Sequence, residues 1–227
     1  MPFGWGSLRR FRDRQAAGRE LSAALERYRG REDVIVLALP RGGVVVAAEI
    51  ACALALPLDI MLVRKLGVPG HEELAMGAIA SGGARVMNDD VVRALQIAAD
   101  TIDDVARDER VELARREQAY RGARPHLDVH GREVILVDDG VATGASMRAA
   151  VAALRTLSPA RIVVAVPTAS RDACVLLRRE ADEVCCLLEP ADFYAVGSWY
   201  EDFPQNTDDE VRACLDACAV QPSDSVR

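Results

Sequence analysis

The residues best placed to do chemistry are two adjacent carboxylates, Asp138 and Asp139, followed closely by Gly140, Thr143, Gly144 and Ser146. The four residues before them, Val134 to Val137, are apolar and mostly β-branched, the type and length of a buried strand. Behind them, Met147 to Leu157 repeats apolar residues at helical spacing. A strand, a glycine-bearing turn and a helix start aim several backbone N–H groups at one point, with the positive end of the helix dipole behind them. A phosphate fits such a point. Carboxylates beside a phosphate need a cation or sugar hydroxyls in between. The local chemistry therefore reads as a phosphorylated sugar, with its phosphate on the loop and its hydroxyls on the acids.

The elements that must position this stretch follow from periodicity. Residues 8–29 read as an arginine-rich amphipathic helix with Leu8, Phe11, Leu21, Leu25 and Tyr28 as its apolar positions and Gly30 at its end. Val34 to Leu39 is a continuous apolar strand, Val44 to Leu56 a helix broken by Pro57, and Leu58 to Val63 a second strand. That β-α-β unit makes the two strands parallel. Arg64 to His71 reads as a loop, and Met76 to Met87 as a hairpin turning at Ser81-Gly82-Gly83. Asn88 or Asp89 caps a short helix, and a long charged helix runs from about Ala98 to Tyr120, its acids and arginines forming a solvated face. After the Asp138 stretch come a strand at Arg161–Val166, a helix at Arg171–Glu180 and a strand at Glu183–Leu188. Thr207 to Glu210 is a capping box opening a last helix to Ala219.

The alternation predicts an α/β fold: a doubly wound, parallel five-stranded sheet with a small hood and a flexible loop or hairpin. The chain of 227 residues reads as one domain, with a core at about 30–190 and a hood from the N-terminal helix and about 190–220. With strand order 2-1-3-4-5, the topological switch lies between the strands at 34–39 and 134–137. Ligands bind there, at the carboxyl ends. Pro40-Arg41-Gly42-Gly43 and Asp138–Ser146 both sit at those ends, so topology and local chemistry converge on one crevice.

Bulk properties narrow the function. The net charge of −7 argues against nucleic acid as the main partner. No apolar run is long enough for a membrane span, and the N-terminal arginines follow no apolar h-region. The six cysteines lack C-x-x-C spacing and read as reduced core thiols, which fits a cytoplasmic protein; Cys214 and Cys218, one helical turn apart, read as core rather than metal ligands. Every basic residue is arginine except Lys65, which follows Arg64 at the end of the second strand.

Asp138 to Ser146 is not a P-loop, since it lacks G-K-[ST], and it is not G-x-G-x-x-G. A receiver domain would need a late lysine, and none follows Lys65. The stretch resembles the PRPP-binding motif of the type I phosphoribosyltransferases: four apolar residues, two acids, two apolar residues, then small-Thr-Gly-x-Ser/Thr. Gly140 departs from that pattern, which usually has an aliphatic residue there. The resemblance covers roughly residues 12–210. It implies that Asp138 and Asp139 hold the ribose hydroxyls, directly or through Mg²⁺, and that Ala142, Thr143, Gly144, Ala145 and Ser146 wrap the 5′-phosphate.

Pro40 to Gly43 looks like the family's pyrophosphate loop, in which a strained peptide turns N–H groups toward the diphosphate. Arg41 supplies a fork suited to phosphate oxygens, and Gly42 and Gly43 permit close approach. Arg64 and Lys65 are further pyrophosphate candidates, the alternative being solvated strand-end charges; with Asp138 and Asp139 they are also the catalytic candidates, Arg64 stabilising the departing pyrophosphate beside Arg41 and Mg²⁺ and Lys65 as the catalytic cation. Leu66 to Ala75, with His71, Glu72 and Glu73, matches in position the family's mobile loop, while His126 and His130 read as structural or exposed. Phe193 to Phe203, with Trp199, Tyr200 and Phe203 foremost, is the hood candidate for stacking a base, or a packed aromatic cluster. The position where hypoxanthine-type relatives carry an aspartate is Ala142, so the motif names no acceptor.

The resemblance implies a pentosyltransferase, a glycosyltransferase of the nucleotide-salvage kind. It would move 5-phosphoribosyl from PRPP to a nitrogenous base or amine and release pyrophosphate. A non-catalytic PRPP or nucleotide sensor on the same fold is the alternative, and a nucleosidase or phosphorylase is a weaker one. The sequence does not set the oligomeric state; a homodimer stays open.

Overall fold

The chain enters through helix α1 (Arg14–Ala24), whose N-terminus is capped by Asp13 accepting the Ala16 N–H at 2.7 Å. The computed structural model describes residues 9–218 with the exception of residue 123. The helix expected over 8–29 is thus shorter. Phe11 leaves it for a bridge to Tyr200, its N–H donating to Trp199 O at 2.9 Å. Leu25 ends it, and a 3₁₀ turn at Glu26–Tyr28 follows. Leu8 lies outside the described residues.

Strand β1 (Val34–Ala38), helix α2 (Gly42–Leu54) and strand β2 (Leu58–Ile60) form the expected β-α-β unit. The chain then departs from expectation. Strands β3 (Val63–Val68), β4 (His71–Ala80) and β5 (Arg85–Met87) form a separate antiparallel sheet in the order β3-β4-β5. The segment expected as a mobile loop, Leu66 to Ala75, is the first hairpin of this sheet. Leu66, Val68, Met76, Ala78, Ile79 and Ala80 are its buried positions, and Pro69-Gly70 is its turn. The register shifts at Gly67, where the Glu72 carbonyl would lie 2.8 Å from any added Cβ. The hairpin expected at 76–87 is present, turning at Ser81–Gly83, with its first strand extended back to His71.

Helix α3 (Asp89–Ala94) begins at the Asn88 cap, and helix α4 (Ala99–Arg121) ends at Gly122. A buried pair fixes the end of α4. Arg121 Nε donates to Asp59 Oδ1 at 3.0 Å and a second guanidinium nitrogen donates to Ile60 O at 3.1 Å, while Asp59 Oδ2 accepts the Leu127 N–H. The last turn of α4 is thereby held over the carboxyl end of β2.

Strand β6 (Glu133–Val137), helix α5 (Ala145–Thr156), strand β7 (Arg161–Thr168), helix α6 (Arg171–Glu180) and strand β8 (Glu183–Leu188) complete the winding. The main sheet is parallel, in the order β2-β1-β6-β7-β8. The continuous apolar runs are explained by burial on both faces: β1 and β6 have no exposed residue, with Val34, Val36, Ile135 and Val137 in one layer and Ile35, Leu37, Val134 and Leu136 in the other. Helix α7 (Asp208–Ala217) starts on the expected capping box. Among the described residues no helix is long and apolar enough to cross a membrane.

The cysteine expectation needs correction. Cys52 on α2 and Cys218, just after α7, are joined in a disulfide, while Cys174, Cys185, Cys186 and Cys214 are free thiols. The bonded pair is separated by 166 residues, so local spacing carried no sign of it.

Candidate active site

The two acids end β6 at the predicted switch point, beside the end of β1. Asp138 Oδ1 accepts the Asp139 N–H at 2.8 Å and sets the turn. Asp139 points back into the protein. Its Oδ2 accepts Arg14 Nε at 2.7 Å, and its carbonyl accepts the Tyr200 hydroxyl at 2.5 Å. Arg14 is a buried charge with three kinds of partner: Asp139, the Pro204 carbonyl at 2.7 Å, and the face of Phe203 at 3.7 Å from the ring centroid. Burial first, and then the neighbouring Asp139 charge, raise the Asp138 carboxyl well above its ordinary value. Burial and the nearby Asp139 carboxylate likewise push up the Tyr200 phenol.

The Pro40–Gly43 loop approaches the acids closely, and its Pro40–Arg41 peptide is cis. A Cβ on Gly42 would run into Asp139 Oδ2 and Arg14 Nε, and one on Gly43 would lie 2.9 Å from Asp138 Cα. Both glycines are therefore required by contact with the acid pair.

Residues 142–146 line a cavity of about 200 Å³ together with Asp138, Gly140 and Val196. The loop is pinned from below: Val141 pairs with Ala169, and the Ser170 hydroxyl donates to Ala142 O at 2.6 Å. Gly144 takes a left-handed conformation (φ 83°) at the N-cap of α5. The first backbone N–H groups of a helix have no carbonyl partner within it; that of Ala145 donates to Thr143 Oγ1 at 3.4 Å, and the positive end of α5 lies at this cavity. Gly140 has a structural reason. Val196 fills the space that an aliphatic side chain would need, and a Cβ at 140 would collide with it.

Arg41 faces a different cavity, of about 300 Å³, which it shares with Arg115, Arg116, Tyr120 and Asp208. Arg64 and Lys65 are not at the end of the second strand. They lie in β3, where Arg64 Nε pairs with Glu109 of α4 at 2.6 Å and Lys65 is exposed; neither lines the cavity of Arg41 or that of residues 142–146. His71 and Glu72 are exposed at the hairpin, and His126 contacts Arg121. Of the hood aromatics, Trp199 and Tyr200 are buried. Trp199 stacks on Phe193, and Tyr200 packs between Phe11 and Phe203. Their rings are thus spent on packing, and Phe203 is taken up by Arg14.

The chain matches the phosphoribosyl transferase domain over residues 4–198. It belongs to the phosphoribosyl transferase domain family. A Mycobacterium tuberculosis chain provisionally named phosphoribosyl transferase Rv0571c is 47% identical over 209 residues, 92% of this chain and 47% of that protein. Its counterpart from a second strain, MT0597, gives the same figures. The chain spans about half the length of these curated relatives. Among solved structures, TT1426 from Thermus thermophilus is 46% identical, with a TM-score of 0.84 covering 93% of this chain and 100% of that one.

The acids, the glycine loop and the turn at 142–146 that lines the cavity were legible from their own residues. Arg14, Val196, Arg115, Arg116 and Asp208 were not. Arg14 sat unmarked in an arginine-rich helix, and the α4 arginines read as part of a solvated face.

Proposed function

We propose that the protein transfers the 5-phosphoribosyl group of PRPP to a nitrogenous base or amine. The bond from ribose C1 to the diphosphate oxygen breaks with its electron pair on the leaving pyrophosphate. The acceptor nitrogen forms the new bond to C1 and gives up a proton. The observation that carries the reading is the juxtaposition at one switch point of the 142–146 cradle, the acid pair and the Pro40–Gly43 loop. The cradle suits the 5′-phosphate, and Asp138 suits the ribose hydroxyls.

A divalent cation fits the donor set. Asp138 offers hard oxygen ligands whose neighbouring negative charge is already costly, as its raised carboxyl shows. Asp139 Oδ2 is engaged by Arg14, so Asp138 is the residue that would hold Mg²⁺. When bound, the ion supplies positive charge to the departing diphosphate.

Calorimetry with PRPP and Mg²⁺, followed by pyrophosphate release over a panel of purines, pyrimidines and amines, tests this. Binding with release dependent on one acceptor class is the expected result. Absence of PRPP binding sinks the proposal, and binding without release on any acceptor assigns the chain to the PRPP-sensing alternative.

A further inference from the structure

Two sulfurs and a carboxylate meet where the end of β8 packs on α6. Cys174 sits on the first turn of α6, Cys186 lies in β8, and Glu189 directly follows that strand. Alternation along β8 turns Cys186 into the layer that holds Cys174 and sends Cys185 into the opposite one. The two sulfurs and a Glu189 carboxylate oxygen all lie within 4.8 Å of one another, and among the described residues no other three metal-ligating side chains converge in this way. Cys174 is fully buried, and Cys186 and Glu189 are partly buried. Each is held in place. The Cys186 thiol donates to Leu188 O at 3.2 Å. Arg178, one helical turn beyond Cys174, grips both oxygens of Glu189, donating to Oε2 at 3.1 Å with one guanidinium nitrogen and to Oε1 with another.

The donor set gives the ligand its class. Around a tetrahedral Zn²⁺, thiolate bonds of about 2.3 Å and a carboxylate bond of about 2.1 Å put the donor atoms roughly 3.6–3.8 Å apart. A cluster already within 4.8 Å reaches that spacing by small side-chain rotations. Cys174 and Cys186 are free thiols, unlike the bonded Cys52 and Cys218. Mg²⁺ takes oxygen ligands, whereas thiolates select softer ions such as Zn²⁺. Two thiolates and a carboxylate exceed a divalent ion by one negative charge, and Arg178 supplies the matching positive one while orienting the carboxylate, the usual task of an outer-shell partner. We propose that Cys174, Cys186 and Glu189 bind a Zn²⁺-class ion, oriented by Arg178 and separate from any ion at Asp138, with water in the fourth position. The two thiols release their protons to solvent as the metal–sulfur bonds form. The site braces the turn at 142–146 from beneath. Ser170, the cap of α6, donates its hydroxyl to Ala142 O at 2.6 Å, and the Ala173 side chain lies 3.5 Å from where a Cβ on Gly144 would stand. Glu189 opens the segment that carries Val196 over Gly140. The site stands whether or not the chain uses PRPP.

The test is titration of the whole protein with Co²⁺ and Zn²⁺ after chelator treatment. Co²⁺ is expected to bind with thiolate-to-cobalt charge-transfer absorption in the near ultraviolet, and to be displaced by Zn²⁺ but not by Mg²⁺. Cys186→Ser should abolish that absorption. Glu189→Gln keeps both sulfurs and therefore the absorption, but should bind Zn²⁺ about tenfold or more weakly. Cys214→Ser, which removes a free thiol outside the cluster, should leave both properties unchanged. In thermal unfolding, Zn²⁺ should raise the Tm of wild type and of Cys214→Ser but not of Cys186→Ser. The proposal is overturned if wild type shows no charge-transfer absorption, if the absorption survives Cys186→Ser or is lost equally in Cys214→Ser, if Glu189→Gln binds Zn²⁺ as wild type does, or if Cys174 and Cys186 are joined in a disulfide in the purified protein.

Discussion

Arg14 joins the N-terminal helix, the aromatic segment and the second acid, and its removal should be felt in all three. Its side chain is 9% exposed and that of Asp139 is 15%, so Arg14→Ala leaves a carboxylate nearly enclosed beside another one. Breaking a buried ion pair from one side costs about 3–5 kcal/mol. Asp139 keeps some contact with water, so the lower end applies, about 3 kcal/mol. For a chain of this size each kcal/mol lowers Tm by about 2–4 °C, which gives a fall of roughly 6–12 °C. The decisive assay is a double-mutant cycle with Asp139→Asn, read by denaturant unfolding. The second substitution is expected to cost far less on the Arg14→Ala background, with a coupling of about 1.5–3 kcal/mol. Arg14→Lys should recover less than half of the loss. An ammonium cannot serve Asp139, the Pro204 carbonyl and the Phe203 face together. Additivity of the two substitutions to within about 0.5 kcal/mol would refute the reasoning.

Two further expectations concern the acid pair and its loop. The carboxyl of Asp138 is raised in the folded chain, so the folded state binds a proton more readily than the unfolded one, and stability is lost as pH rises from the ordinary carboxylate value through the raised one. Asp138→Asn should therefore melt higher than wild type at neutral pH, lose that advantage in acid, and bind PRPP more weakly; a lower Tm at neutral pH would contradict this. Gly140→Ala should cost about 1–3 kcal/mol through its collision with Val196, and Val196→Ala on the same background should restore most of it in thermal unfolding.

What could be read from the sequence was what local pattern dictates. The unbroken apolar runs at 34–38 and 134–137 announced strands covered on both faces, and the glycine-bearing turn after Asp139 announced the cradle. Thr207 and Glu210 announced a helix start, and both halves of their capping box are formed. What escaped depended on distant partners. Gly67, Pro69 and Gly70 punctuate the chain like a loop, yet they serve as the irregularity and turn of a hairpin whose alternation is only a few residues long. Nothing in an arginine-rich helix separates Arg14 from Arg12 or Arg19, because what marks it is a carboxylate 125 residues away. The α4 charges do pair along the helix as their spacing suggests, Glu112 with Arg115 and Arg116, but that these arginines share a cavity with Arg41 follows from where α4 is anchored, at the Asp59–Arg121 pair. The exchange of an aliphatic residue for Gly140 made sense only once Val196 was seen filling its place.

The strand order has a consequence for the chain as it is made. Strand β1 lies between β2 and β6; one neighbour follows almost at once, whereas Val34 waits for Glu133, 99 residues later. At about 5–20 residues per second, ribosomal synthesis leaves the second edge of β1 uncovered for roughly 5–20 s. During that interval a wholly apolar strand with unpaired backbone groups is available to any other extended chain. The emerging N-terminal third is thus the portion of this molecule most in need of a chaperone, although the acid pair that will face β1 across the finished crevice has not yet been made.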